Sequence, residues 1–361
     1  MSLAERLKRR IAAEGPITVA AYMAACLGDP QHGYYARHPR LGAEGDFITA
    51  PHVSQMFGEI LGLWAAEVWR QLGSPSRVRL IELGPGDGTM LTDVLRAARA
   101  VPGFGNALDL RLIETSAPLR ARQAEAVASA GAQAQWLEDL APLAREKGPV
   151  VALANEFLDC LPIRQYVRAA DGWCERRVGV SGGALAFMLT PLPSGARAPA
   201  TANGAAEGAV LEQSEPLAAF GAQIGALIAA KGGAALFVDY GRTHFDGADT
   251  LQAVRLHRRE DPLANPGEAD LTAHADFAAF LEAAKAAGVC CPPPMAQADF
   301  LHALGIETRA AALIAAQPAR AELIGRQLER LTAPDQMGEI FKVACVHSPG
   351  LSPPPFRCSS R

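Results

Sequence analysis

Residues 78 to 90 read VRLIELGPGDGTM. The apolar positions Val78, Leu80, Ile81 and Leu83 form a short run of strand character with Glu82 near its end, and glycines at 84, 86 and 88 break it before helix-period sequence resumes. This is the order strand, tight turn, helix. Glycine lacks a Cβ, so it accepts positive φ and lets a ligand lie against the main chain, while the helix start beyond it offers unpaired N–H groups.

Spacing separates the ligands such a turn can hold. The dinucleotide fingerprint places its third glycine three residues after the second, to seat a pyrophosphate. Here the third comes two residues after the second, and Thr89 follows. Glu82 and Asp87 would repel a diphosphate and suit a ligand carrying an ammonium and a sulfonium. The stretch resembles the first motif of class I S-adenosylmethionine-dependent methyltransferases, an acidic residue followed by Gly-x-Gly-x-Gly. A nicotinamide site and an ordinary glycine-rich connection are the alternatives.

The texture around this turn supports an α/β fold. Strands are expected at 78–83, 109–114, 133–137, 149–155 and 234–240, with helices at about 89–100, 117–129 and 140–146 between the first four. Right-handed crossovers put the strand C-termini on one rim, where ligands bind near the switch in strand order. The fold class expected is therefore a class I, Rossmann-like, mostly parallel sheet with helices on both faces. An N-terminal helical extension and an inserted antiparallel subdomain complete it.

The expected division is 1–76 as an N-terminal helical and lid region. Residues 77–160 and 230–347 form the cofactor-binding domain with a C-terminal helical elaboration, 161–229 the insert, and 348–361 a proline-rich disordered tail. In the first region helices are expected over 2–14, 17–27 and 52–72, and Gly45–Thr49 with Ser54 and Gln55 read as a lid. In the insert, 163–169, 173–180 and 184–190 read as antiparallel strands, 193–209 as a mobile loop, and about 211–230 as a helix. Beyond the fifth strand, a strand at 250–257, helices near 273–287, 307–316 and 318–331, and a last strand EIFKVACV are expected.

Composition bounds the function. The chain has 361 residues, 49% hydrophobic and 20% charged, which is ordinary for a globular enzyme, and its net charge of −4 argues against sequence-independent nucleic-acid binding. Its cysteines show no C-x-x-C pair, so zinc ligation and a disulfide framework are not expected, and no metal is assigned. No apolar run is long enough to span a membrane. The N-terminus reads as the first helix rather than a targeting segment, so a cytoplasmic location is expected.

Candidate contacts follow from the strand ends. Glu82, Gly84, Pro85, Gly86 and Gly88 form the cofactor turn. Glu114 ends the second strand and could accept both ribose hydroxyls, or be a solvated carboxylate. Asp139 or its neighbour Glu138, at the end of the third, could accept from the adenine amino group; either could instead cap a helix. The fourth strand ends in ALANEFLDCLPIRQY, placing Asn155, Glu156 and Asp159 where a methyl group would emerge. Asn155 and Asp159 could alternatively be local capping residues. Asp239 and Tyr240 could wall the acceptor pocket. His32 and His52 read as loop surface without a metal partner.

Together, DPQHGYYARHPRLGAEGDFITAPHVSQMFGE, IELGPGDGTM, NEFLDCLPIRQ, FVDYG and MGEIFKV resemble the MidA-like family over about residues 5 to 347. The resemblance implies S-adenosyl-L-methionine as cofactor and protein arginine methylation, giving symmetric ω-dimethylarginine on a subunit of NADH:quinone oxidoreductase (respiratory complex I). Glu156 and Asp159 are then the catalytic candidates, since paired carboxylates can grip a guanidinium fork. A small-molecule methyltransferase and a non-catalytic assembly chaperone are the competing readings.

Overall fold

The computed structural model describes residues 1–37, 49–192, 202 and 204–356. Its centre is a sheet of six main strands: β1 (Val78–Leu83), β2 (Leu108–Ile113), β3 (Ala134–Leu137), β4 (Val150–Asn155), β5 (Gly233–Arg242) and β6 (Phe341–His347). Their spatial order is β3-β2-β1-β4-β5-β6, with a two-residue strand, Met295–Ala296, beyond β6. All neighbouring pairs up to β5 are parallel, and β6 runs antiparallel to β5. Strand order reverses between β1 and β4, which is where an open α/β sheet leaves a crevice at its C-terminal rim.

The strands are apolar on both faces because helices cover both. Val78, Leu80, Val151, Leu153, Leu236 and Val238 point into a core shared with the helices Gln55–Gln71 and Thr89–Ala100. Ile81, Leu83, Ala152, Ala154, Ala235 and Phe237 point the other way, against the helices Glu215–Lys231 and Phe277–Lys285.

A second core lies outside the sheet and draws on three distant stretches. Leu7 and Ile11 of the first helix, Tyr22 and Met23 of the second, Ile163, Val178 and Leu271 pack together. The antiparallel sheet beside it joins Arg164–Ala169, Gly172–Ser181, Ala184–Pro191 and Val210–Gln213 with a two-residue strand, Ile17–Thr18, from the N-terminal region. Among the described residues no helix is long and apolar enough to cross a membrane.

Three expectations need correction. The helix expected from about 211 starts at Glu215, because Ser214 caps it by accepting the Leu217 N–H at 3.1 Å; Val210–Gln213 instead pairs with Arg164–Val167. The helix expected over 52–72 breaks at Ser54, leaving one turn at Ala50–Val53 and a helix from Gln55. The tail was expected to be disordered, yet Phe356 is buried against Phe300, 6.0 Å between ring centroids. An aromatic at that position offsets the prolines around it. Of the lid expected at Gly45–Thr49 with Ser54 and Gln55, residues 45–48 lie outside the described residues, as does most of the 193–209 loop.

The close packing of Gln55–Gln71 on Thr89–Ala100 depends on glycines 58 and 62. A Cβ at Gly62 would stand 2.8 Å from both the Ala97 Cβ and the Val94 carbonyl, and one at Gly58 would stand 2.6 Å from the Asp93 Cβ. These contacts include backbone, which cannot step aside. Gly62→Ala is therefore expected to cost about 1–3 kcal/mol in denaturant unfolding, despite the better helix propensity of alanine. An unchanged or raised midpoint would mean that the two helices can part without loss.

Candidate active site

A cavity of about 690 Å³ opens at the crevice between β1 and β4. Its floor is the glycine turn. Gly84, Gly86 and Gly88 have φ of +60°, +57° and +87°, values that side chains resist. Gly84 faces Phe157, whose ring would lie 3.0 Å from an added Cβ, and Gly88 caps the helix Thr89–Ala100 with Ala126 2.8 Å from where its Cβ would be. The turn is thus pressed between the β4 end and the helix Ala117–Ser129.

Gln123, fully buried on that helix, braces the cofactor side. Its Nε2 donates to the Gly86 carbonyl at 2.8 Å and to Glu114 Oε2 at 3.1 Å, and its Oε1 accepts from Trp136 Nε1 at 2.8 Å. Glu114 also accepts the Ser116 N–H at 2.7 Å, and Ser116 Oγ donates to the Tyr35 carbonyl at 2.8 Å. The N-terminal region is thereby tied to the β2 end. Burial raises the Glu114 carboxyl above its ordinary range, against those donors.

The acceptor side is a nest of acids. Glu156 Oε1 accepts the Ala50 N–H at 3.3 Å and Asn155 Nδ2 at 3.0 Å, and its backbone sits at φ +50°. A bulky residue rarely occupies that region unless its surroundings compel it. Asp159 Oδ2 accepts the Tyr240 hydroxyl. Asp239 Oδ2 accepts three successive backbone donors, from Phe157 at 3.0 Å, Leu158 at 2.8 Å and Asp159 at 3.2 Å.

Burial, then the nearby Asp159, pushes Glu156 up to about 8, and burial pushes Asp159 to about 6 against the Tyr240 hydrogen bond. Asp239 is displaced well upward by burial and by both neighbours. On the turn itself, burial and the adjacent Asp87 raise Glu82 to about 8. Asp87 goes the other way: burial opposes its charge, but hydrogen bonds from His52 and Thr89 hold it near 2.

The cavity brings together Glu82, Gly84, Pro85, Gly86, Glu114, Asn155, Glu156 and Asp159 from the sequence reading, while Gly88 stands just behind the turn as helix cap. Asp139 is the exception. It is exposed, and its carboxylate accepts the Ala141 N–H at 2.8 Å at the start of a short 3-10 turn, whereas Glu138 lines the cavity. The assignment of the adenine contact to Asp139 is corrected accordingly: local capping claims that side chain.

His52, a surface residue by its sequence context, lines the cavity, with Nε2 2.9 Å from Asp87 Oδ2 and Nδ1 2.7 Å from Thr49 Oγ1. Tyr35, Ser116, Gln123 and Asp270 also belong to the site or its support, without a motif that points to them. Gln123 sits mid-helix and Asp270 on a three-residue strand, so neither carried a local signal. Among the described residues no group of three His, Cys, Asp or Glu side chains is arranged to hold a metal ion.

These residues fit S-adenosylmethionine. The floor is backbone that a Cβ would obstruct, the buried carboxylates complement a cation, and Asn155 Oδ1 is a buried acceptor with no protein partner. The volume lies within the 300–1,000 Å³ of small-molecule sites.

Comparison with known proteins points the same way. A protein family described as "Putative S-adenosyl-L-methionine-dependent methyltransferase" matches residues 60–295. The mitochondrial protein arginine methyltransferase NDUFAF7 of Danio rerio is 34% identical over 96% of this chain and 86% of its own length. The Drosophila melanogaster homolog, also named mitochondrial, is 36% identical over 97% and 85%. A Burkholderia thailandensis crystal structure with S-adenosyl-homocysteine bound superposes with a TM-score of 0.84 at 32% identity, covering 97% of this chain and 92% of that one. The names of these relatives overturn the expectation of a cytoplasmic protein, which rested on reading the first residues as a structural helix. They do form a helix, Leu3–Glu14, but helical character does not decide an address.

The raised acids couple stability to pH. A carboxyl whose folded pKa exceeds its unfolded value contributes stability that is complete below the unfolded pKa and is lost as pH rises through the folded one. For Glu82 the window runs from 4.5 to about 8. The cofactor-free protein is therefore expected to lose thermal stability from pH 5 to 8.5, and Glu82→Gln should flatten that decline. A variant profile parallel to wild type would show that Glu82 is ordinary in the folded state.

Proposed function

The chain belongs to the MidA-like family of S-adenosyl-L-methionine-dependent methyltransferases, and from that membership we propose that its acceptor is the guanidinium of a protein arginine. The observation that carries the reading is the pair of carboxylates at the β4 end of the cofactor cavity, Asp159 buried and Glu156 half-buried. The relatives' names, protein arginine methyltransferase, support the same acceptor. A respiratory complex I subunit as substrate and symmetric dimethylation as product are the finer parts of the proposal, and they rest on the family resemblance.

When bound, the cofactor supplies an electrophilic methyl carbon on a sulfonium. The protein's task is to orient one guanidinium nitrogen toward it, since in-line displacement draws most of its rate from alignment. Glu156 and Asp159 accept N–H groups from the fork, and Tyr240 fixes Asp159 by donating to Oδ2. Glu156 Oε1 is held by Ala50 and Asn155, so the second oxygen meets the arriving cation. Asp239 holds the backbone of residues 157–159 and stays clear of the acceptor.

A guanidinium is protonated at any ordinary pH and becomes more acidic once its resonance is disturbed by methyl transfer. The proton it then loses has a receiver in Glu156, whose carboxylate prefers to be protonated at neutral pH. An arriving cation has the opposite effect, lowering the acids around it and expelling protons they hold.

Two outcomes follow. Glu156→Gln should keep S-adenosyl-homocysteine affinity in calorimetry while arginine methylation falls by about two orders of magnitude or more, the usual scale for losing a catalytic acid or base. Wild-type kcat/KM toward an arginine peptide should rise with pH between about 6 and about 8, as Asp159 and then Glu156 lose their protons. Retention of wild-type rate in the Gln variant, or transfer to lysine but not arginine peptides followed by mass spectrometry, would overturn the assignment.

A further inference from the structure

The single helical turn Ala50–Val53 touches both halves of the cavity. Its first N–H, from Ala50, points at Glu156 Oε1 at 3.3 Å on the acceptor side. Its third residue, His52, reaches Asp87 Oδ2 at 2.9 Å on the cofactor turn and Thr49 Oγ1 at 2.7 Å on its own cap. We propose that His52 is a positioning residue for methyl transfer: by bridging Thr49 and Asp87 it holds the Ala50 amide on Glu156 and so aligns that carboxylate for the acceptor.

The chemistry of the bridge is determined by its partners. Asp87 is held ionised and can only accept, so Nε2 carries a proton and donates to it. Nδ1 and Thr49 Oγ1 share a hydrogen bond on the other side of the ring, a hydroxyl being able to donate or accept there. Ala50 and Pro51 lie between these two anchors and are buried, so the turn cannot swing without breaking one of them. Thr49 itself makes no side-chain cap to the turn. The His52 ring does the holding that a cap would otherwise do.

The groups around the bridge make its pH response readable. His52 is faced by Asp87 on the glycine turn and by Asp93 on the helix Thr89–Ala100, with Glu82 behind Asp87. Glu156 is faced by Asp159 on its own turn, Asp239 on β5, the Asn155 amide and the Ala50 N–H. Of these neighbours only the two amides favour the Glu156 carboxylate. Withdrawing the Ala50 donor therefore raises the proton affinity of Glu156, whereas removal of a merely packed ring would leave it alone.

The inference rests on the arginine reading for its kinetic consequence, but its structural core can be measured without an acceptor. His52→Ala should speed hydrogen exchange of the Ala50 and Val53 amides by about tenfold, the size of one hydrogen bond to a charged group. With an arginine peptide it should move the ascending limb of kcat/KM to higher pH by about one unit and lower kcat more than it raises cofactor KM. His52→Gln, which can still donate to Asp87, should restore both, and Thr49→Val should shift them partway in the same direction. Unchanged exchange in His52→Ala, or an active variant with an unshifted limb, overturns the proposal. If exchange responds as expected but wild type methylates no arginine peptide, the clamp on Glu156 stands and the arginine reading falls.

Discussion

One carboxylate organises the acceptor side of this protein. Asp239, fully buried at the end of β5, gathers the N–H groups of Phe157, Leu158 and Asp159 onto a single oxygen. That forces the chain to turn immediately after β4, and the turn is what places Glu156 at positive φ with its side chain in the cavity. The same turn delivers Asp159 to Tyr240, the residue after Asp239, so one strand end both bends its neighbour and fixes what the bend presents. The strain at Glu156 is held by the parallel pairing of β4 with β5, which continues to the Glu156 N–H, donated to the Val238 carbonyl at 2.9 Å.

The electrostatic design is unfavourable to folding and favourable to binding a cation. Glu82, Asp159 and Asp239 are buried and Glu156 half-buried within one rim of the sheet, and desolvation displaces each toward its neutral form. Buried carboxyls without cationic partners are costly. In structural ion pairs of the same chain the opposite holds: Glu59, equally buried, receives both Arg309 and Arg96 and serves to join three helices. Among the described residues the rim acids have no such arginine, and an incoming cation supplies the missing charge. Asp87 stays charged amid this group because His52 and Thr89 donate to it.

The sheet was legible because its strands are buried on both faces and therefore read as continuous apolar runs, and the glycine turn because three positive-φ positions leave glycine as the residue of choice. The acidic end of β4 was legible for a related reason: polar residues directly after Leu153 and Ala154 have no place in a core. What escaped was whatever depended on contacts between distant segments. Ile17–Thr18 is too short to show periodicity, so its pairing with Arg177 and Val178 left no mark. His52 looked like loop surface since Asp87, its partner, is 35 residues away. At Asp139 the error had a local cause. An aspartate followed two residues later by a free N–H is held by its own turn, and the cavity is left to the residue before it.

The most direct measurement of whether this rim holds an arginine is a crystal structure of the protein with S-adenosyl-homocysteine and an arginine-containing peptide. The guanidinium should lie within hydrogen-bond distance of both Glu156 and Asp159, with one nitrogen facing the sulfur across the glycine turn. A guanidinium bound elsewhere, or a turn closed by neighbouring side chains with the cofactor excluded, would contradict the assignment of this acidic rim as the acceptor site.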